Sequence, residues 1–225
     1  TSGGSESNNW AIKGVAYQNR DQGNHIITSA IEHPAVSEVC SFLESQGFKI
    51  SVVPCDELGM VDPADIEKSI TPATILITIM HANNEVGTLQ PVAEVAASCR
   101  ERGVAVHTDA AQAIGKVPVN VDDLGVDLLS VAGHKIYAPK GVGALFIRQG
   151  VEPAIFCHGA GQEMGIRAGT ESVMHIVGLG KACQLAEEKL SQHSNHMRAM
   201  RDRLEEGLES ALRDIRFNGH REKRL

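Results

Sequence analysis

His107-Thr108-Asp109-Ala110-Ala111-Gln112, followed about two dozen residues later by Gly133-His134-Lys135, is the passage around which the rest of the chain can be read. Apolar Val104, Ala105 and Val106 lead into the acid, and a second apolar stretch, Val126 to Val131, leads into the lysine. Short runs of this kind read as buried strands, so each charged residue falls at the carboxyl end of a strand. A carboxylate and an amine so placed have two readings. They form an ion pair, or they are the two anchors of pyridoxal phosphate, with Lys135 as the Schiff-base lysine and Asp109 holding the ring nitrogen protonated. Spacing alone leaves both open.

Composition narrows the class. A chain of 225 residues, 42% hydrophobic and 22% charged, is an ordinary soluble globular sequence of one large domain or one and a half. Aromatics are only 4% while Ala, Val, Ile and Gly abound, which suits a parallel sheet covered by helices. A net charge of −7 gives no electrostatic footprint for nucleic acid or an anionic membrane. The basic run His220 to Arg224 is interrupted by Glu222 and reads as solvated surface. No apolar stretch is long enough to cross a bilayer, and the first residues are no signal peptide. Cys40, Cys55, Cys99, Cys157 and Cys183 contain no Cys-x-x-Cys pair, which argues against zinc or a disulfide framework and for a reducing compartment. The expected location is the cytoplasm, with the mitochondrial matrix or another organelle as the alternative. The chain opens on Thr1-Ser2-Gly3-Gly4-Ser5 without an initiating Met and stops soon after Asn218-Gly219, so it reads as a piece of a longer protein.

Taken in order, the sequence predicts a helix from Glu6 to near Gly23, with Ser5 as N-cap and the preceding glycines as a potential phosphate cradle. His25 to Thr28 reads as a strand closed by Glu32-His33-Pro34, and Pro34 opens a helix to Gln46 with Cys40 on its inner face. His33 lies on that strand-to-helix connection, where a structural role and a ligand role are both open. Phe48 to Pro54 reads as a strand, Asp62-Pro63 starts a short helix, and Thr74 to Met80 is the strongest strand. That strand runs into His81-Ala82-Asn83-Asn84-Glu85-Val86-Gly87, either a loop holding polar groups over a pocket or an Asx-type turn that caps its own backbone. A helix from Pro91 to Arg102 follows, with Cys99 inward. After Lys135, Gly141 to Ile147 reads as a strand running back against its neighbours, and Gly159 to Glu171 as a glycine-rich loop. Ser172 to about Ile215 reads as one bent helix or two. Leu185, Leu190, Met197, Met200, Leu204, Leu208 and Leu212 are spaced for its inward face, and Cys183 is expected to be core. The alternation of strands and helices predicts an α/β fold whose polar loops converge at the strand carboxyl ends.

Thr1-Ser2-Gly3-x-x-Glu6-Ser7-Asn8-Asn9, Glu32-His33-x-Ala35-Val36, His81-x-Asn83-Asn84-Glu85-x-Gly87, His107-x-Asp109-Ala110-x-Gln112 and Gly133-His134-Lys135 occur in that order. Together they resemble the cysteine desulfurases and selenocysteine lyases, the class V aminotransferase branch of the type I pyridoxal phosphate enzymes. The resemblance implies a mostly parallel, seven-stranded-type sheet flanked by helices, followed by a long linking helix. Residues 1–190 would be the cofactor-binding large domain and 191–225 the start of a small domain. Lys135 would carry the cofactor and move the Cα proton, Asp109 would pair with the ring nitrogen, and Gln112 and Asn84 would sit by the ring hydroxyl. His33 would stack on the ring and act with Lys135 as a catalytic residue by shuttling a proton. Gly4, Ser5 and His134 would hold the phosphate, and Thr170 would reach the phosphate of the other subunit of a homodimer.

The implied substrate is L-cysteine or L-selenocysteine, and the product is alanine, with sulfur or selenium passed to an acceptor or scaffold protein, as in iron–sulfur cluster assembly. Three departures stand out. Ala132 occupies the place of a phosphate-binding serine, Gly4 and Ser5 replace a more frequent Ala and Thr, and none of the five cysteines matches the family's nucleophile. The expectation is cofactor binding with little or no turnover. Two other readings remain: a catalytically incomplete product keeping cofactor binding or dimerisation, and a sister enzyme acting on another amino acid, against which the His33 and Asn84 motifs argue.

Overall fold

Runs rich in β-branched residues form six strands: β1 (His25–Ser29), β2 (Lys49–Val53), β3 (Thr74–Thr78), β4 (Ala105–Asp109), β5 (Leu128–Ala132) and β6 (Gly143–Ile147). A computed structural model describes residues 1–100 and 102–225. The strands lie in the order β2-β1-β3-β4-β5-β6, parallel except for β6, which runs antiparallel to β5 as its sequence suggested. The α/β class and mostly parallel sheet are as expected, with six strands among the described residues where the resemblance implies seven. Beyond β6 the chain enters Pro153 and the glycine-rich segment, which are poor strand formers.

Seven helices accompany the sheet among the described residues: α1 (Gly4–Gln18), α2 (Pro34–Ser45), α3 (Pro63–Ser69), α4 (Val92–Arg100), α5 (Val121–Leu124), α6 (Val173–Glu188) and α7 (Leu190–Ala211). The expected helix from Pro91 to Arg102 includes Glu101, which lies outside the described residues. Strand residues alternate between two layers. Ile26, Leu76 and Leu128 pack under α1 and α2 against Ile12, Val15, Val36 and Leu43. Ile27, Ile77, Val106 and Leu129 pack under α3 and α4 against Ile66, Val92 and Val95. Cys40 and Cys99 are buried in these layers, as expected. Burying each such aliphatic side chain contributes about 1.5–3 kcal/mol, which fixes the sheet as the rigid part of the molecule.

Helix starts follow local chemistry, with one correction. Asp62 accepts from the Ala64 N–H at 2.8 Å and Pro63 opens α3, as expected. Ser5, however, is not the cap of α1. The helix begins at Gly4, and Gly3 takes the capping position with φ 148° and ψ −179° and no side-chain bond. Only glycine adopts that backbone without strain, so the chain turns into the helix earlier than a serine cap would allow. The start of α1 lies hard against the sheet: a Cβ on Gly4 would sit 3.0 Å from the Ala132 Cβ. One on Gly143 would meet the Val131 carbonyl oxygen at 2.5 Å and Gly3 at 2.8 Å. α1 also ends at Gln18, and Asn19 to Gly23 form turns rather than helix.

The carboxyl-terminal helices depart most from expectation. They are two, broken at Lys189. The predicted inward face is not buried: Leu185, Met200, Leu204 and Leu212 are exposed, and no residue of α7 is buried. Cys183, expected in a core, is exposed too. The stripe is amphipathic and only partly covered: Leu190, Met197 and Leu208 are half-buried, and the rest of it faces solvent. Beyond α7 the chain turns back, and Leu89 N–H donates to Lys223 O at 2.9 Å and Leu225 N–H to Gly87 O at 2.9 Å. Among the described residues no helix is long and apolar enough to cross a membrane.

Candidate active site

The sheet brings the carboxyl ends of β1, β3, β4 and β5 to one edge. From β1 the chain steps outward to β2, then returns to β3 and proceeds the other way, so the strand order reverses between β1 and β3. Loops diverge at such a point and leave a crevice. The crevice here is a cavity of about 440 Å³, within the range of about 300–1,000 Å³ usual for small-molecule sites. Its wall includes His33 after β1, Asn84 after β3, Asp109 and Gln112 at the end of β4, His134 and Lys135 after β5, and Gly4 and Ser5 from α1. Eight of the nine sequence-predicted residues thus meet in one cavity. Thr170 does not; it is exposed in the glycine-rich loop.

Asp109 and Lys135 share the cavity, yet they make no ion pair, which removes the simpler reading of the two residues. Asp109 is 6% exposed, and its two oxygens accept from Asn8 Nδ2 at 2.7 Å and from the Ala111 N–H at 2.9 Å. A buried carboxylate with two neutral donors and no cation among the described residues is an unfinished arrangement, because buried charges are ordinarily paired. Asn8 itself is 1% exposed, and its Oδ1 has no partner among protein atoms. Asn8 had been noticed only as part of a motif. Its helical position, one turn after Gly4, is the signal that puts it on the inner face.

The remaining groups are held by local turns. His33 caps α2, its Nδ1 accepting from the Ala35 N–H at 3.0 Å, and the ring is exposed at the cavity rim. Both readings of the loop after β3 hold. Asn83 is the turn builder: its Oδ1 accepts from the N–H groups of Glu85 and Val86 at 2.9 Å each, and its Nδ2 donates to Ile31 O at 3.0 Å. Asn84, so presented, faces the cavity. Gln112 accepts from Lys116 Nζ through Oε1 at 2.7 Å and through its carbonyl at 2.9 Å. Burial, and secondarily the charge of Lys135, holds the Lys116 ammonium below its usual pKa.

Two groups that sequence reading did not single out underlie the site. His107 is fully buried between Thr78 Oγ1 (2.8 Å) and Ser130 Oγ (2.9 Å), and burial pushes its pKa down to about 3, so it is a neutral bridge across three strands. Glu32 accepts from the Met80 N–H at 3.0 and 3.1 Å and from the Ser29 hydroxyl, tying the end of β1 to the end of β3. Burial raises its pKa to about 8 against the pull of these donors, and Asp109 adds to the rise. As an acid beside His33 it gave no sequence signal of being buried. Lys135 also lines a second, mostly apolar cavity of about 750 Å³, walled by Ile114, Tyr137, Ala182, Leu185 and Met197, and so stands between the two spaces.

Comparison with known proteins shows the family and the fold. The Aminotransferase class-V family matches residues 1–225. A protein of Methanosarcina thermophila named cysteine desulfurase IscS is 51% identical over 225 residues, covering 100% of this chain and 55% of its own. Among solved structures, a NifS-like protein superposes with a TM-score of 0.91 at 43% identity, covering 93% of this chain and 58% of that one. A structure titled SspA in complex with cysteine superposes with a TM-score of 0.79 at 46% identity, covering 82% of this chain and 54% of its own. The chain spans just over half the length of the curated relatives it matches.

Proposed function

The chain belongs to the class-V aminotransferase family, and from that premise we propose that it is the cofactor-holding part of a pyridoxal phosphate-dependent cysteine desulfurase, acting on L-cysteine to leave L-alanine. The observation that carries this reading is the buried, cation-less Asp109 carboxylate in the same cavity as Lys135. A protonated pyridine nitrogen is the partner that carboxylate lacks, and a primary amine is the group that holds an aldehyde carbon. The donor set fits the rest of the cofactor: backbone N–H groups at the start of a 15-residue helix with the Ser5 hydroxyl for a phosphate, and amides for a ring hydroxyl. The close approach of Gly4 to Ala132 sets that helix start against the end of β5, beside Lys135.

Bound there, pyridoxal phosphate supplies an electron sink for the pair left on the substrate α-carbon. Asp109 would pair with the ring nitrogen, and the hydrogen bonds from Asn8 and the Ala111 N–H aim its two oxygens into the cavity. Lys135 would hold the aldehyde carbon, and its amine lines the cavity where it would take the Cα proton. His33, on the turn that caps α2, stands exposed at the cavity rim, where its ring would stack on the cofactor ring and shuttle a proton. Gln112 and Asn84 line the cavity and would hydrogen-bond the ring oxygen, with Lys116 donating to the Gln112 amide oxygen.

Cysteine rather than selenocysteine is the proposed substrate because cysteine is the amino acid named for the similar proteins. No cysteine of the described residues lines the cavity. Burial pushes the Cys40 thiol up to about 12, and Cys157 and Cys183 are exposed elsewhere. The sulfur-accepting thiol is therefore proposed to come from outside residues 1–225, with onward transfer to an acceptor protein. We read residues 1–190 as the cofactor-binding domain and 191–225 as the start of a second. A homodimer is proposed on the exposed apolar surface of Val173, Met174, Ile176 and Val177, near the loop that carries Thr170. The test is absorbance. The purified chain mixed with pyridoxal phosphate should develop the visible band of a lysine-bound cofactor, and Lys135→Ala should abolish it. A wild-type chain that stays colourless would end the reading.

A further inference from the structure

Glu6 is the one acid in the first turn of α1, and it lines the same cavity as Gly4 and Ser5. A carboxylate at a helix start is ordinarily well placed, because it meets the positive end of the helix dipole. Here it competes for that end with the phosphate the site is proposed to hold. Left unpaired, it would repel a dianion through a poorly screened path.

It is not left unpaired. Arg167, from the glycine-rich loop, donates from Nε to Glu6 Oε1 at 2.8 Å and from its second terminal nitrogen to Oε2 at 3.2 Å, a two-pronged pair. Ser2 donates to Oε2 from its N–H at 3.1 Å and from its hydroxyl. The pair is sheltered, with side-chain exposures of 13% for Glu6 and 25% for Arg167. Burial by itself would raise the Glu6 carboxyl, and the bonds from Arg167 and Ser2 overcome it, leaving the group charged and below its usual pKa. Arg167 is not among the residues that wall the cavity.

Nor is the pair needed to dock the loop. The segment before Arg167 is already fastened to α1, since Ala154 N–H donates to Gly14 O at 3.0 Å and Trp10 Nε1 donates to Ala154 O at 3.3 Å. Trp10 also packs on Phe156 with ring centroids 5.9 Å apart. The loop then closes on itself through Phe156 N–H to Ile166 O and Ala168 N–H to Cys157 O, both at 3.0 Å. An arginine added to this scaffold has a task beyond holding it.

We propose that Arg167 is the counter-ion that neutralises Glu6, so that the start of α1 accepts the cofactor phosphate; it is a positioning residue that acts through Glu6 without touching the ligand. The proposal rests on the pyridoxal phosphate reading above. It predicts an asymmetry that a merely structural ion pair would not show. Arg167→Gln leaves a bare carboxylate at the phosphate site, whereas Glu6→Gln leaves a cation there.

The experiment is titration of the purified chain and its variants with pyridoxal phosphate and, separately, with pyridoxal, which carries the same ring and aldehyde without the phosphate. The visible band reports both. Arg167→Gln should weaken pyridoxal phosphate binding roughly 30-fold while changing pyridoxal binding by less than about threefold. Glu6→Gln should hold or tighten pyridoxal phosphate binding, and the double variant should return to within about threefold of wild type. Equal losses in the two single variants, or a double variant as weak as Arg167→Gln, would overturn the proposal, because a displaced loop, including one that moves Thr170, gives that pattern. If Arg167→Gln fails to fold, the double variant decides: near-wild-type affinity supports the proposal and a large loss overturns it. A wild-type chain that binds neither compound defeats the cofactor reading itself, whereas tight wild-type binding with no phosphate-specific change in the variants defeats only the role of Arg167.

Discussion

The strand-end cavity and the α6–α7 arm are built from sequence of similar apolar periodicity, and they end in opposite states. Around the cavity, aliphatic residues of β1, β3, β4 and β5 vanish into two layers. Along the arm, leucines and methionines at helical spacing leave their face largely in solvent. Periodicity thus reports which face an element offers, while burial depends on whether a second surface exists to take it. The sheet carries its second surface within the chain. The arm does not, among the described residues, and its exposed Val173, Met174 and Val177 mark where one is wanted.

The largest effect expected from this contrast lies behind the cavity wall, where Glu32 bonds the Met80 N–H. Glu32 is held as a neutral acid, with its pKa raised from about 4.5 to about 8. Between those values the unfolded chain loses the proton and the folded chain keeps it, so stability falls as pH rises through that window and levels off above it. The full difference is on the order of 4 kcal/mol. Glu32→Gln keeps an acceptor for the Met80 N–H and offers a donor to Ser29, and it cannot ionise. Urea unfolding of the two proteins should give curves that separate progressively from pH 5 to pH 8, the variant becoming the more stable. A constant separation would mean that Glu32 is charged in the fold, and the ends of β1 and β3 would then be no drier than the arm.

That acid also shows where sequence reading stops. The succession of strands and helices could be anticipated because β-branched runs alternate with helical ones. His33, Asn84, Asp109 and Lys135 drew attention because each stands next to a strand end, while their roles came from the resemblance. Their supports were illegible. Asn8 bonding Asp109, Glu32 bonding Met80 and Arg167 pairing with Glu6 join positions 101, 48 and 161 residues apart. Side chains that distant are brought together by packing, and no local spacing encodes them. The Ser5 cap failed for a local reason instead, because Gly3 could adopt a backbone that made a side-chain cap unnecessary. Cys183 was placed in a core from its periodicity alone, the same inference that misplaced the leucines of α7.

A middle-sized effect tests the sheet directly. Leu76 is fully buried in the layer under α1 and α2. Leu76→Ala leaves a cavity that the flanking strands β1 and β4 have little room to close, and it should cost about 2–5 kcal/mol, read as a lower urea midpoint at unchanged slope. A cost near zero would show that the layer is loosely packed and that the two regions differ less than their burial suggests.

The smallest effect is the one that separates amphipathicity from burial. Leu204 occupies the expected inward stripe of α7 and is 62% exposed. Removing an exposed leucine withdraws little area from water, and serine costs the helix a few tenths of a kcal/mol in propensity. Leu204→Ser should therefore change the unfolding free energy of the isolated chain by less than about 0.5 kcal/mol. The same substitution in a longer chain or an assembly that covers α7 would behave like a core truncation, at about 2 kcal/mol or more. A large loss in the isolated chain would mean that the arm already folds against a surface, either the sheet domain or a second copy, and concentration dependence of the midpoint distinguishes these two: a midpoint that rises with protein concentration assigns the cover to the second copy.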